Sequence, residues 1–256
     1  MNRNKKKVLA TALAVCLVSI LSFSTLAWFN ASESVTNKFM VATSGSNLDD
    51  GANPEDKVFS LDLWEYVADE DGDGTPDKKV NYRADGTSEW EYKDVLPGVK
   101  YIKQPTVENT GSYDQYIRVI VTVSDYNMFK SVLGEGYDLS QVFGGHDENK
   151  WTRDTIVPNV GGDTVTYVYY LNEALPYSAK DATKNDDHMV SLFTDVTLPG
   201  VLTQKHMADM GGQFEIKIQA DAIQTEGLGD TVTNAKAAFE SIGWTADKTY
   251  EQAMTP

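Results

Sequence analysis

One stretch of the chain constrains the fold more than any other, because its pattern suits a β-strand covered on both sides. Residues 116–123 are almost all β-branched or aromatic, a composition that favours extended backbone. Ile117, Val119, Val121 and Val123 share one face of such a strand. The opposite face carries Tyr116, Arg118, Ile120 and Thr122. We therefore predict a strand near the centre of a sheet, with most of both faces covered.

Shorter β-patterns recur along the rest of the chain, separated by turn residues. Strands are predicted at residues 59–64, 78–83, 89–93, 165–170 and 214–220, and the Asp85-Gly86 pair predicts a tight hairpin turn. Helices are predicted at 126–133 and 233–242, and residues 136–162 indicate loops and short strands. The pattern predicts an all-β protein, a jelly-roll-like antiparallel β-sandwich with one C-terminal helix and a few short helical insertions.

The first 27 residues have the pattern of an export signal. Four positive charges in residues 1–7 precede an apolar run from Val8 to Leu21, and Thr25-Leu26-Ala27 places short side chains at a cleavage position. Cleavage is expected between Ala27 and Trp28 by a signal peptidase. The predicted organisation is a signal peptide at 1–27, an N-terminal strand and linker at 28–48, and one domain at 49–256.

The segment after the signal alternates like a strand that has no hairpin partner. Val35, Phe39 and Val41 fall on one face, and Thr36, Lys38 and Ala42 fall mostly on the other. The flexible stretch that follows would let this strand move away from its own domain. It can serve as the first strand of its own sheet, or pair with an open sheet edge of a neighbouring molecule.

Charge and cysteine content limit the partners and the compartment. The chain has 22 basic and 38 acidic residues, and removal of residues 1–27 leaves 18 basic and 38 acidic, a net charge of −20. Nucleic acid and anionic membranes are poor partners for such a surface, while divalent cations suit it. Cys16 is the only cysteine and lies within the signal, and Val15 before it argues against lipidation. A secreted protein, at the cell surface or in an extracellular matrix, is expected.

An acidic loop carries the pattern D-x-D-x-D-G-x-x-D. Asp69, Asp71, Asp73 and Asp77 supply carboxylates, and Thr75 supplies a backbone carbonyl. Ca²⁺ takes six to eight oxygen ligands, and this spacing matches the first nine positions of an EF-hand loop. Val80 stands where that loop has its bidentate Glu, and no helices flank it. The loop is either a Ca²⁺ site or a solvated acidic hairpin loop.

Sequence motifs typical of catalysis are scarce, and we expect that this protein is not an enzyme. His146, His188 and His206 form no zinc-protease motif, and the mature chain has no thiol nucleophile. Lys38 has two interpretations. It is a solvated lysine on the outward face, or it approaches a buried Asn or Asp of a neighbouring subunit and forms an intermolecular isopeptide crosslink.

Two similar turns recur at 94–99 (DVLPGV) and 195–201 (DVTLPGV). Because Pro-Gly favours a type II turn, we predict two similar turns that each precede a strand and enter related sheet positions.

Several segments together resemble one family of secreted proteins. They are TLAWFNASESVTNKFMVA at the export junction, LPGVKYIKQPTVENTGSYDQYIRVIV, the run from Tyr169 to Gly200, and QADAIQTEG with AKAAFESIGW near the C-terminus. These are similar to the TasA and camelysin family of Gram-positive proteins, and most of all to its clostridial biofilm-pilin branch.

The resemblance implies export by a dedicated signal peptidase, a jelly-roll domain and assembly into biofilm-matrix fibres, with other matrix components as possible partners. In such fibres the N-terminal strand of one subunit, the donor strand, completes a sheet of the next. Carried onto this sequence, Val35, Phe39 and Val41 would fill apolar slots. The alternative is a monomeric secreted calcium-binding adhesin. The acceptor groove would include the predicted strands at 116–123 and 214–223, and the pattern leaves open which sheet edge accepts the donor strand.

Overall fold

A computed structural model describes residues 30–33, 59–69, 73, 75–83, 86–159, 163–177, 186–210, 214–228 and 232–244. The helices within these residues are α1 (Tyr126–Leu133), α2 (Gln204–Asp209) and α3 (Ala235–Ser241), and two 3-10 turns span Leu139–Val142 and Asp186–His188. The strands are β1 (Asn30–Glu33), β2 (Asp62–Val67), β3 (Lys78–Asn81), β4 (Lys100–Glu108), β5 (Gln115–Val123), β6 (Phe143–Gly144), β7 (Trp151–Asn159), β8 (Thr164–Leu171), β9 (Met189–Ser191), β10 (Asp195–Thr197) and β11 (Ile216–Gln224).

The strands form two antiparallel sheets, and the predicted all-β class is confirmed. One sheet has five strands in the order β1-β11-β5-β8-β7. The other has six, in the order β3-β2-β4-β10-β6, with β9 beside β4. Strand β5 pairs with β11 over nine residues and with β8 over six, so it lies at the centre of its sheet as its sequence predicts.

The core lies between the two sheets. From β5 it receives Ile117, Val119, Val121 and Val123, the face that alternation predicts. The six-stranded sheet contributes Leu63, Val107, Phe143 and Val196. Each fully buried side chain of this size stabilises the fold by about 1.5–3 kcal/mol, so this layer holds the sandwich together.

The outer face of the five-stranded sheet is covered by α3 and the residues after it. Tyr116, Val168, Tyr170 and Ile223 of the sheet form a second apolar cluster with Phe239 of the helix and Trp244. Asn234 caps the helix, because its side-chain oxygen accepts a hydrogen bond from the N–H of Ala237 at 2.9 Å. This cover explains why the outer face of β5 is buried as well as its inner face. In the described part of the chain, no helix is long and apolar enough to cross a membrane.

Two expectations about local structure are wrong. Residues 89–93 form no strand, although the turn before them does form, with Arg83 N–H donating to the Thr87 carbonyl at 2.7 Å. Ring contacts hold this segment, since Trp90 packs edge-on against Tyr92 and Tyr92 against Tyr101. Within 136–162, where we expected only short strands, β7 has nine residues because it pairs with β8.

Asn109 explains the Asn-Thr-Gly turn between β4 and β5. Its buried amide nitrogen donates to the carbonyls of Tyr113 and Leu175, at 2.8 and 3.0 Å. Its side-chain oxygen accepts hydrogen bonds from the Gly111 N–H and from the Gln115 side chain. One amide therefore closes the turn and joins it to the end of β8, and an apolar residue here would leave several buried groups unpaired.

A buried ion pair lies on the inner face of the six-stranded sheet. Lys103 Nζ is 2.6 Å from Glu65 Oε2, and both residues are buried. The Tyr82 hydroxyl donates to the same oxygen at 2.6 Å, and the Ser88 hydroxyl donates to Oε1. Burial, followed by the charge of Glu65, raises the pKa of Tyr82 well above its usual value. Glu65 follows Leu61 and Leu63 in alternation, so its inward position has a sequence signal.

Asp125, just before α1, provides a test of carboxylate burial. Burial raises the pKa of this carboxyl, the Ser124 hydroxyl opposes the shift by donating to it, and nearby Asp163 and Glu215 raise it further. The folded state therefore favours the neutral form. The resulting stability is present in full below the unfolded pKa of about 3.9 and is lost as the pH rises through the raised pKa.

We expect Asp125→Asn to raise the thermal midpoint at neutral pH, and this gain to vanish in acid. Asn suits the left-handed backbone at this position, where φ is +58°. Thermal unfolding of both proteins at about pH 7 and at about pH 3, below the unfolded pKa, measures the effect. A difference in midpoint that is the same at both pH values would contradict it.

Candidate functional site

The edge of the five-stranded sheet beside β11 is the candidate site. Ser124 N–H donates to the Glu215 carbonyl, and Thr225 N–H donates to the Asp114 carbonyl, so the odd-numbered residues of β11 bond to β5. Ile218 N–H instead donates to the Gly86 carbonyl at 2.9 Å. Because bonding direction alternates along a strand, Ala220, Ala222 and Gln224 also direct their N–H and C=O groups away from β5.

Two segments cover this edge within the single chain. The turn at Gly86 bonds to Ile218, and β1 is the strand hydrogen-bonded to β11. Gly86 has φ of +80°, and a Cβ there would be 3.3 Å from both the Ile218 carbonyl oxygen and Lys217 Cβ. Glycine is needed for so close an approach of the turn to the edge. The four residues of β1 are far fewer than the nine of β11.

The inner side of the edge is apolar and has small residues. Ile218, Ala220 and Ala222 are fully buried and belong to the core between the sheets. Two consecutive inward alanines leave lateral space for large side chains of the next strand. The β1 sequence, Asn-Ala-Ser-Glu, contains no large apolar residue. The edge is therefore suited to a strand that carries large apolar side chains.

A buried ion pair fixes β11 to β5 from the outer face. Arg118 Nε is 2.9 Å from Asp221 Oδ2, its Nη2 contacts the same oxygen, and the two side chains are 0% and 1% exposed. Arg118 Nη1 also donates to the Trp244 carbonyl at 3.3 Å. The guanidinium lies 4.8 Å from the ring centre of Phe239. Alternation predicts the burial of Arg118, but no pattern in the sequence identifies Asp221 as its partner.

Several predicted site residues lie outside the described part of the chain. They are the cleavage-site residues Ala27 and Trp28, the donor-strand residues Val35, Lys38, Phe39 and Val41, and Asp71 of the acidic loop. The expected acceptor strands are described: they are β5, at the centre of the sheet, and β11, beside the edge. Of the two, only β11 can present an edge to a further strand.

The acidic loop is closed by its own hydrogen bonds. Asp77 N–H donates to the Ala68 carbonyl at 3.0 Å, and the Thr75 N–H and hydroxyl both donate to Asp73 Oδ1, at 2.7 and 2.5 Å. Among the described residues, no group of three or more His, Cys, Asp or Glu side chains is arranged to hold a metal ion. Calcium binding by Asp69, Asp71, Asp73, Thr75 and Asp77 stays a prediction.

Fold and edge together define a class: a two-sheet, all-β protein in which an N-terminal strand lies at a sheet edge. Comparison with known protein families, with curated proteins and with solved structures finds no match.

Removing one partner of the Arg118–Asp221 pair should destabilise the fold more than replacing both partners with apolar residues. Asp221→Ala leaves a buried, uncompensated guanidinium, and we expect it to lower the free energy of unfolding by about 3–5 kcal/mol. The double variant Arg118→Met with Asp221→Leu should recover a large part of that loss. Urea unfolding followed by circular dichroism measures both. A double variant as unstable as Asp221→Ala would contradict this account.

Proposed function

We propose that this chain is a structural subunit of extracellular fibres, polymerising by insertion of its N-terminal strand into the next subunit. The observation that carries the proposal is the pairing of β1 with β11. It identifies an edge whose backbone groups accept a strand from the N-terminal segment of the chain. A neighbouring subunit offers the same segment to the same edge, so exchange between copies needs no new type of contact.

The donor segment matches the edge better than β1 does. Val35, Phe39 and Val41 would lie on one face of an extended strand, where Ala220 and Ala222 leave lateral room on the acceptor. A strand of residues 34–43 is also long enough to pair along all of β11. Apolar burial and a longer hydrogen-bond ladder would then favour the exchanged state over the short β1 pairing.

Head-to-tail exchange produces a filament. The donor segment and the acceptor edge are different surfaces, so each added subunit leaves one of each free, and the assembly does not close.

Secretion, a place in the biofilm matrix and a jelly-roll topology belong to the same proposal, and they rest on the export signal and the resemblance to the TasA and camelysin family. A non-catalytic role accords with the absence of catalytic motifs in the sequence. The alternative is a monomeric calcium-binding adhesin.

Electron microscopy of the mature protein tests polymerisation. Residues 28–256 should form filaments, and residues 45–256 at equal concentration should stay monomeric because they lack the donor segment. Phe39→Asp should block filaments without unfolding the monomer, since it places a charge in an apolar slot. Thr36→Asp, on the opposite face, is the matched control and should assemble.

Filaments from residues 45–256 or from Phe39→Asp would refute the donor assignment. Boiling the same filaments in detergent tests the crosslink at Lys38. Heat-resistant oligomers that Lys38→Ala abolishes would establish it, and their persistence in that variant would exclude it.

Amide hydrogen exchange tests which edge accepts the donor strand. In residues 45–256 the amides of Ala220, Ala222 and Gln224 should exchange faster than those of Gln219 and Asp221, which bond to β5. Adding a synthetic peptide of residues 28–44 should slow the first set by about tenfold or more, and leave the second set unchanged. Protection that appears on β7 and not on β11 would move the acceptor site to the other edge.

A further inference from the structure

The two Leu-Pro-Gly-Val turns singled out in the sequence lie side by side at one end of the sandwich. Gly98 N–H donates to the Leu198 carbonyl at 2.8 Å, and a Cβ on Gly98 would lie only 3.5 Å from Gly200 Cα. The register of Thr197 with Lys100 puts the end of β10 beside the start of β4, which brings the turns together.

The two turns differ, and the prediction that each precedes a strand is wrong for the second. The first closes with Val99 N–H donating to the Leu96 carbonyl, and Gly98 has φ of +79°, as a type II turn requires. The second closes one residue later, with Leu202 N–H donating to the Pro199 carbonyl, and it leads into α2 instead of a strand. The shared motif therefore does not serve to start two similar strands.

What the turns share is exposed apolar surface. Leu96 is 60% exposed, Val99 42% and Val201 62%. They are three of the four large apolar side chains that are exposed within the described residues. Single exposed apolar residues are ordinary, but these three lie on two turns that touch, and exposed apolar residues grouped in this way suit an interaction site. We call these three residues the turn patch.

The fourth of these exposed residues, Tyr177, lies beside the opposite end of β4. It is 46% exposed, and its N–H donates to Asp114 Oδ1, just before β5. The turn patch adjoins Lys100 at the start of β4, whereas Tyr177 lies near Asn109, which follows the end of β4 and bonds to Leu175. The nine residues of β4 separate these ends by roughly 30 Å.

We propose that the turn patch is an end-to-end contact between copies of this chain, in which it packs against the Tyr177 end of the next subunit. This inference rests on the proposed fibre. Three side chains are far fewer than the roughly 20–30 residues per side of a stable interface, so the patch cannot hold two free subunits together. Strand exchange would supply the missing affinity, because it holds the two ends at high effective concentration.

The opposed positions of the two apolar features favour a second copy over other occupants. A contact between different surfaces repeats from subunit to subunit, as a filament needs, whereas a patch that met its own copy would close a dimer. A net charge of −20 after removal of residues 1–27 sets copies in mutual repulsion, so exposed apolar side chains are a favourable place for them to touch. The same charge disfavours an anionic lipid surface as the occupant.

The test uses mature protein, residues 28–256, and measures the critical concentration for filament formation by sedimentation. The double variant Leu96→Ser with Val201→Ser should raise it roughly tenfold or more, because two apolar side chains lose their burial at each contact. Tyr177→Ser should also raise it. Combining all three changes should add little to the double variant, since both sets remove the same contact. Asn81→Ser, on the side of the sandwich in β3, is the control and should assemble like the unaltered chain.

Circular dichroism melting of each variant before assembly tests whether its fold is intact. We expect intact folds, because the substituted side chains are exposed. Suppose that the unaltered chain forms filaments at the same critical concentration as the turn-patch and Tyr177 variants. That result would overturn the end-to-end contact and leave the proposed fibre standing. A mature chain that stays monomeric under all conditions would overturn both. If the unaltered protein floats with phosphatidylcholine vesicles and the double variant does not, the turn patch binds a lipid surface. That result would also overturn the proposal.

Discussion

The pairing of β5 with β11 is the interaction on which the rest of the structure depends. Nine residues on each strand are in register, and the buried Arg118–Asp221 pair links the same two strands on their outer face. The core between the sheets needs β5 at the centre, because four of its side chains point inward. The α3 helix needs it as well, because Tyr116 and Arg118 contact residues of the C-terminal cover.

This pairing also determines what the molecule can offer to a partner. One side of β11 is fully bonded to β5, so its other side is the only direction in which this strand can accept another. The buried Arg118–Asp221 pair joins β11 to β5 on the outer face, next to that edge. In the proposed fibre, this edge would have to keep its shape when β1 leaves and a donor strand arrives. The stability of the fold and the proposed assembly therefore involve the same pair of strands.

Two buried charged residues, one on each sheet, show how much of the structure can be predicted from local sequence patterns. Glu65 and Arg118 both stand in apolar alternation, so their burial could be predicted from neighbours one or two residues away. Their partners, Lys103 and Asp221, are 38 and 103 residues distant and come from separate strands. Nothing local distinguishes Asp221 from the other acidic residues of the chain. The same limit applies to the failed strand at 89–93, where ring packing against Tyr101 replaced pairing.

The sequence by itself determined the all-β class, the central place of β5, the α1 helix and the position of α3 to within two residues, because each depends on periodicity and caps that a short window contains. Tertiary structure alone decided which edge carries β1, which charges pair, and that two distant Leu-Pro-Gly-Val turns meet at one end. Those facts depend on strand order and register between segments far apart in the chain. Local preferences do not encode them, since many registers satisfy the same alternation.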